Sequence, residues 1–402
     1  MRKVGVYLHR WFGLFTAVFL FISGLTGAII SWDHELDEWL NPQMYILQEG
    51  GDKRQSYPSL ELANRYEASN PYLQISYMML NQEDGHTFNA FVVPRPDPVS
   101  GKANEIAFNQ VALNPYTAEP QAQRMWGEIS LSKENLLPFL YKLHYSMHIP
   151  DGFGIRLGYL IMGIVAIVWT LDCLISLWIS FPRLSSWRKS FRFRLHEGRY
   201  KLNFDLHRSG AVWVWGLLLI LAVTSISMNL ETQVMRPLVA KFSELSPNEF
   251  DNRDPRPLDE PAEPVFSREM IVEKAIADAN ARGWEVPAGG IFYSSSYDLY
   301  GVGFFEGTND HGDGGLGNPW LYYDAKTGLP AGGVIPGEGS WGDIFLQAQF
   351  PLHSGRILGL GGRILISFMG LVVAMLSVTG LIIWARKRKA RINKQARSAS
   401  YN

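Results

Sequence analysis

The sequence predicts an α-helical membrane protein: a four-span helical bundle with two extracytoplasmic α+β units, built as an internal duplication. Three observations predict this. Four stretches of about 20 residues are nearly free of charge, which is long enough to cross a hydrocarbon core of about 30 Å. Arg and Lys gather at one set of span ends, while Asp and Glu gather at the other. The order span, soluble region, span occurs twice.

The first span occupies residues 1–32. Arg2 and Lys3 precede its apolar run, and Asp33, Glu35, Asp37 and Glu38 follow it, which places the N-terminus in the cytoplasm. A cleaved signal peptide would have a shorter apolar region and a small-residue cleavage site, so this reads as an uncleaved anchor. Residues 33–143 form the first soluble unit. There Ser59 is placed to cap a helix through LELANRYEAS. The runs LQISYMML, TFNAFVV and IAFNQVAL then read as strands, closed by the turn Asn114-Pro115-Tyr116-Thr117.

Residues 144–181 hold an outer-edge segment and the second span. Pro182 opens a basic cytoplasmic loop, 182–206, in which Arg and Lys outnumber Glu197 and Asp205. The third span covers 207–230. Residues 231–350 form the second soluble unit, with a Pro- and acid-rich linker over 246–264. Ser267 caps a helix, and GGIFYSSS, YGVGFFE and PWLYYDA read as strands. The fourth span lies in 351–385, and a basic tail, 386–402, returns to the cytoplasmic side.

The net charge of −1 gives no reason to expect a nucleic-acid partner. Cys173 is the only cysteine, so disulfides within the chain, clusters held by several cysteines and covalent C-x-x-C-H haem attachment are excluded. No glycine pattern follows a strand in the way a dinucleotide site requires; Gly359, Gly361 and Gly362 do not.

The duplication matches His9 with His207, and Leu143-His144 with Leu352-His353. It also matches residues 152–166 with 360–374, and the turn at 114–117 with that at 323–328. A histidine at the threshold of a membrane span is costly unless something uses it. Four such positions, paired by face, predict two non-covalent haems held between helices. His9 and His207 lie toward the cytoplasmic face, and His144, His148 and His353 toward the outer face. The repeat favours His144 as the outer partner of His353, whereas proximity to the span favours His148. His34 is a reserve without a repeat partner. His86, His196 and His311 read as solvated, and the loop around His311 as flexible.

Arg10 and Arg208 follow their histidines, and Arg156 and Arg363 match across the repeat. All four are candidates for haem propionates, because guanidinium meets carboxylate through a paired fork. Snorkelling to lipid phosphate is the competing role. Asp172 lies inside the second span, where a carboxylate is a functional candidate, either accepting from a ligand imidazole or pairing with Arg10.

The LHRWFGL start, the NPYT and YDAKTG turns and LHSGRILGLGGRIL before the last span resemble the PepSY-associated transmembrane family. The chain is similar to members that act as haem-containing ferric-siderophore reductases of the ferrioxamine type. The resemblance implies a multi-pass protein of the bacterial inner membrane, with both termini cytoplasmic and PepSY-like units in the periplasm. It implies two haems b, a ferric siderophore as substrate and release of iron on reduction. The electrons would come from a separate donor in the cytoplasm or membrane. Two other roles stay open: a non-catalytic PepSY module that binds a partner or peptidase, and a haem redox protein with a different acceptor.

Overall fold

The computed structural model describes residues 1–48, 55–181, 183–250, 253–257, 259–307 and 309–399. Pro182, the linker positions 251, 252 and 258, and Thr308 at the edge of the His311 loop lie outside these. In chain order the helices begin with α1 (Arg2–Ile30), α2 (Asp33–Leu40), α3 (Pro42–Tyr45) and α4 (Ser59–Ser69). Four strands follow: β1 (Leu73–Met79), β2 (Phe88–Pro94), β3 (Gln110–Leu113) and β4 (Pro120–Arg124). Then come α5 (Leu136–Ser146), α6 (Leu157–Ser180), α7 (Arg199–Trp213), α8 (Trp215–Leu230), α9 (Arg236–Val239) and α10 (Arg268–Ala281). The second strand set is β5 (Ala288–Ser294), β6 (Leu299–Phe304), β7 (Trp320–Asp324) and β8 (Pro330–Val334). The chain ends with α11 (Trp341–Gln347), α12 (Gln349–Ser354) and α13 (Gly359–Ala399).

The chain divides into two compact units. The first comprises Met1–Trp32, Leu140–Leu238 and Leu352–Asn402. Four of its segments are long and apolar enough to cross a membrane: Arg2–Ile30, Leu157–Ser180, Trp215–Val239 and Arg356–Arg397. Large apolar side chains such as Val18, Leu171, Leu174, Ile220, Phe368 and Leu371 point outward from all four. Such a surface is stable against hydrocarbon rather than water. Helix α1 crosses α13 closely. A Cβ on Gly24 would stand 2.6 Å from the Gly370 carbonyl oxygen, so only glycine permits this approach. At one end Arg363 donates twice to the Ser31 carbonyl, at 2.9 and 2.7 Å, and stacks on Trp32. This satisfies a carbonyl left open at the end of α1. At the other end Arg2 donates to Ile179 O at 3.1 Å, tying the start of α1 to the end of α6.

The third span is broken at its threshold. Val214 leaves helical geometry between α7 and α8, and residues Glu231–Met235 widen into a π turn before α9. Within α7, Asp205 is fully buried and accepts from the backbone and guanidinium of Arg194, which precedes the helix, at 3.0, 2.7 and 2.6 Å. That pair closes the basic loop onto α7.

The second unit comprises Asp33–Phe139 and Val239–Pro351. The two α+β units expected from the sequence are not separate here. Their strands form one antiparallel sheet of eight, in the order β4-β3-β2-β1-β5-β6-β7-β8. The join is β1 against β5, with Tyr77 opposite Phe292 and Met79 opposite Gly290. Helices α4 and α10 cover one face, burying Leu62, Tyr66, Ile271 and Ala275 against Ile75, Val92, Val111, Ile291, Val302 and Leu321. Arg268 reaches Glu67 across the join, and Arg95 bridges Glu67 at 3.0 Å and Glu263. The other face carries an aromatic row that includes Tyr77, Phe91, Phe292, Trp320 and Tyr322.

Local details depart from the sequence reading in two places. Ser59 does not cap α4: it is the first helical residue, and its hydroxyl donates to Leu80 O at 2.9 Å. Ser267 does cap α10, accepting from Met270 N. Strands β4 and β8 were not expected, because PQAQR and PAGGV lack apolar alternation; both are sheet edges, with β8 largely exposed. The two matched turns share one device: Asn114 Oδ1 accepts from Tyr116 N at 2.9 Å, and Asp324 Oδ1 accepts from Lys326 N at 3.0 Å.

Candidate functional site

Four histidines of the membrane unit meet in two pairs, one toward each end. The rings of His9 and His207 have centroids 6.1 Å apart, inclined at 45°. Those of His144 and His353 are also 6.1 Å apart, inclined at 63°. Each pair takes one histidine from each half of the chain. His148 lies two residues beyond α5, with φ at 52°, and the ring that meets His353 is that of His144.

Every one of these rings is held through Nδ1, and each by a different span. Asp172 Oδ1 in α6 lies 2.8 Å from His9 Nδ1. Thr26 Oγ1 in α1 lies 3.1 Å from His144 Nδ1, with Ser23 O at 3.0 Å. Thr224 Oγ1 in α8 lies 3.0 Å from His353 Nδ1. Thr379 Oγ1 in α13 lies 3.2 Å from His207 Nδ1, with Leu376 O at 3.0 Å.

These partners fix the tautomer. A carbonyl oxygen can only accept, so Nδ1 of His144 and of His207 carries the proton. Thr224 donates its own proton to Ile220 O at 2.8 Å, which leaves its oxygen to accept from His353. A carboxylate accepts from His9 in the same way. In all four rings the lone pair is therefore left on Nε2, the arrangement of an oriented metal ligand. Two glycines shape the clamps. A Cβ at Gly27 would stand 2.8 Å from His144 Cε1, and one at Gly380 would stand 2.9 Å from His207 Cε1.

The three threonines are not singled out by the sequence, because a threonine within a span also suits close helix packing. One signal was available: Thr26 follows His9 by the same seventeen residues that separate Thr224 from His207. Thr26-Gly27 and Thr379-Gly380 also share a dipeptide.

The His9–His207 pair lines a cavity of about 480 Å³. Trp169, Leu218 and Val373 make its apolar wall, while Arg2, Arg10, Arg208, Lys387 and Arg391 make a basic rim. Arg208 donates to Lys189 O at 2.5 Å, yet its buried Nε has no hydrogen-bond partner among the described residues. Arg10 stacks loosely on Tyr7, 5.8 Å from the ring centre. Asp172 is taken by His9, not by Arg10. At the other end Arg156 lies on Tyr159 and Arg363 is engaged by Ser31 and Trp32.

The remaining histidines lie elsewhere. His34 packs edge-on against Tyr45, His86 sits near Glu38 and Glu83, and His311 pairs with Asp310 and stacks on Phe350. Among the described residues no group of three or more His, Cys, Asp or Glu side chains is arranged to hold a metal ion. The arrangement in the membrane unit is of another kind: two imidazoles per site, able to ligate one metal from both sides.

No curated protein matches the chain. The family model described as the PepSY-associated TM region matches residues 6–387. With four candidate spans and almost its whole length matched, the chain belongs to the PepSY-associated transmembrane family.

Proposed function

We propose that this protein carries electrons across a membrane through two b-type haems and delivers them to a ferric siderophore. The observation that carries the reading is the spacing of the two histidine pairs. Metal–imidazole bonds of about 2.0 Å on both sides of one iron put the two ring centres about 6 Å apart, and both pairs have 6.1 Å. The donor set fits haem in three further respects. Each Nδ1 is fixed by an acceptor, the cavity at His9 has a volume in the range of about 300–1,000 Å³ typical of cofactor sites, and the unpartnered Arg208 Nε suits a propionate.

When bound, haem supplies one-electron chemistry at an iron whose potential depends on its ligands and their hydrogen bonds. The chain's own residues do the rest. His9 and His207 hold the site at the basic end; His144 and His353 hold the site at the other, roughly 25 Å away along α1, counting from His9 to Thr26. Arg10 and Arg208, which line the cavity, would meet the propionate carboxylates of a bound haem. The apolar walls exclude water. The basic ends lie in the cytoplasm by the positive-inside rule, which puts the sheet unit in the periplasm. One electron leaves a cytoplasmic or membrane donor, and one reduces Fe(III) of the chelate to Fe(II), with no proton required. Fe(II) is held less tightly by hard oxygen ligands, so the chelate releases it. The symmetric use of spans, with the His9 and His207 clamps on the second and fourth and the His144 and His353 clamps on the first and third, supports the internal duplication.

The test is reconstitution in oriented vesicles, with reductant on the face of the basic tail and ferric siderophore on the other. The expected result is Fe(II) appearing on the siderophore side, abolished by His353→Ala. Reduction at full rate in that variant, or only when both reagents share one side, would rule the relay out.

A further inference from the structure

The two halves of the membrane unit clamp their histidines alike except at one place. Thr26 and Thr224 serve His144 and His353, and Thr379 serves His207, each with a neutral hydroxyl. The fourth clamp, on His9, is the carboxylate of Asp172 at 2.8 Å. Asp172 is the only acidic side chain in α6, and its side chain is 12 % exposed. A buried carboxylate inside a span is expensive, and a second threonine would have sufficed to orient the ring.

A carboxylate does more than a hydroxyl. It draws the Nδ1 proton toward itself and makes Nε2 a stronger donor to whatever metal it holds. A stronger donor stabilises ferric over ferrous iron. We infer that Asp172 is a positioning residue that makes the His9–His207 site the harder of the two to reduce, so that an electron entering there runs downhill to the His144–His353 site. The inference rests on the haem reading above.

The cations near this site act in the opposite sense, because positive charge favours the reduced iron. Arg2, Lys387 and Arg391 are exposed at the rim, where salt screens them over about 8–10 Å. Arg10 and Arg208 are half-buried; the Asp205 carboxylate lies 3.8 Å from Arg208, and haem propionates would offset the charge that remains. Asp172 touches a ligand ring directly, within a low-dielectric wall, so its influence prevails. Thr379 acts on the same site more weakly. Removing its hydroxyl leaves Leu376 O to accept from His207 Nδ1.

The experiment is a potentiometric titration of the purified full chain, followed by haem absorbance. The wild type should show two midpoints, with the lower one missing in His207→Ala. Asp172→Asn should raise the lower midpoint toward the upper and leave the upper unmoved, and Asp172→Glu should largely restore the gap. Thr379→Val should raise the lower midpoint less, and Thr224→Val should alter only the upper. Haem present with an unmoved lower midpoint in Asp172→Asn would overturn this inference alone. So would a wild type in which the lower midpoint survives His207→Ala, a result that needs no folded Asp172 variant. A wild type without haem would overturn the parent reading as well.

Discussion

Gly380 lies against the imidazole of His207, so close that a Cβ there would stand 2.9 Å from Cε1. The neighbouring Thr379 binds Nδ1 of the same ring, so one dipeptide both grips and shapes the clamp. Adding a single methyl group at position 380 must push the ring or separate two helices, at a cost of about 1–3 kcal/mol. Gly380→Ala should therefore lower haem occupancy at the His9–His207 site while the second haem stays. Gly27→Ala should do the converse through His144. Haem-to-protein ratios of the purified variants check both; equal loss of both haems in either variant would count against separate clamps.

Arg208 buries an Nε that no group among the described residues satisfies. A hydrogen bond to a charged partner contributes about 1.5–3 kcal/mol. Arg208→Ala should loosen haem at one site by about tenfold or more, whereas Arg363→Ala should cost stability at the end of α1 and leave haem affinity in place. Competition with a haem-binding acceptor protein would measure the difference. Unchanged haem retention in Arg208→Ala would remove the propionate role.

The Arg194 guanidinium beside Asp205 holds that carboxyl below its ordinary value of 3.8. A group whose folded value is depressed contributes stability above its unfolded value and loses it as the pH falls through the folded one. The basic loop should stay closed on α7 at neutral pH and open only below about pH 3.8. Proteolysis of the loop, pulsed after acid exposure, would report the opening. Asp205→Asn should make the loop cleavable at neutral pH and remove the acid transition.

In the sheet unit Arg124 and Asp37 are buried together, with Nη1 to Oδ1 at 3.0 Å, and Tyr45 donates to the same carboxylate at 2.6 Å. Breaking such a pair from one side costs about 3–5 kcal/mol, because the remaining charge is left without a partner. Arg124→Met should destabilise the sheet unit severely, whereas Arg65→Met, which breaks an exposed pair, should be near neutral. Denaturation of the full chain in detergent, followed by tryptophan emission, separates the two.

The histidine pairs were legible because a membrane makes polar residues conspicuous: His9, His207 and His353 stand out at span ends where hydrocarbon begins. Charge at the span ends assigned each histidine to a face, and the faces gave the pairs. The threonine acceptors were harder to read: Thr26 and Thr224 keep one spacing from His9 and His207, but a threonine within a span also fits ordinary helix packing. The choice between His144 and His148 needed the end of α5, which sequence places only loosely. The joined sheet was hidden for a different reason. Each half offers β1 or β5 as an edge, and nothing local says that two edges more than two hundred residues apart will pair. The bond from Arg363 to Ser31 was not legible either, because its carbonyl acceptor is a backbone group at the end of another helix.

The central claim is that two histidine pairs each hold one haem. It is tested most directly by haem content and the reduced absorption spectrum of the full chain purified from haem-replete cells. The account predicts two six-coordinate haems per chain. It predicts that His9→Ala and His207→Ala perturb the same haem, and that His144→Ala and His353→Ala perturb the other. Wild-type protein that purifies without haem, or single variants that all keep two six-coordinate haems, would contradict it.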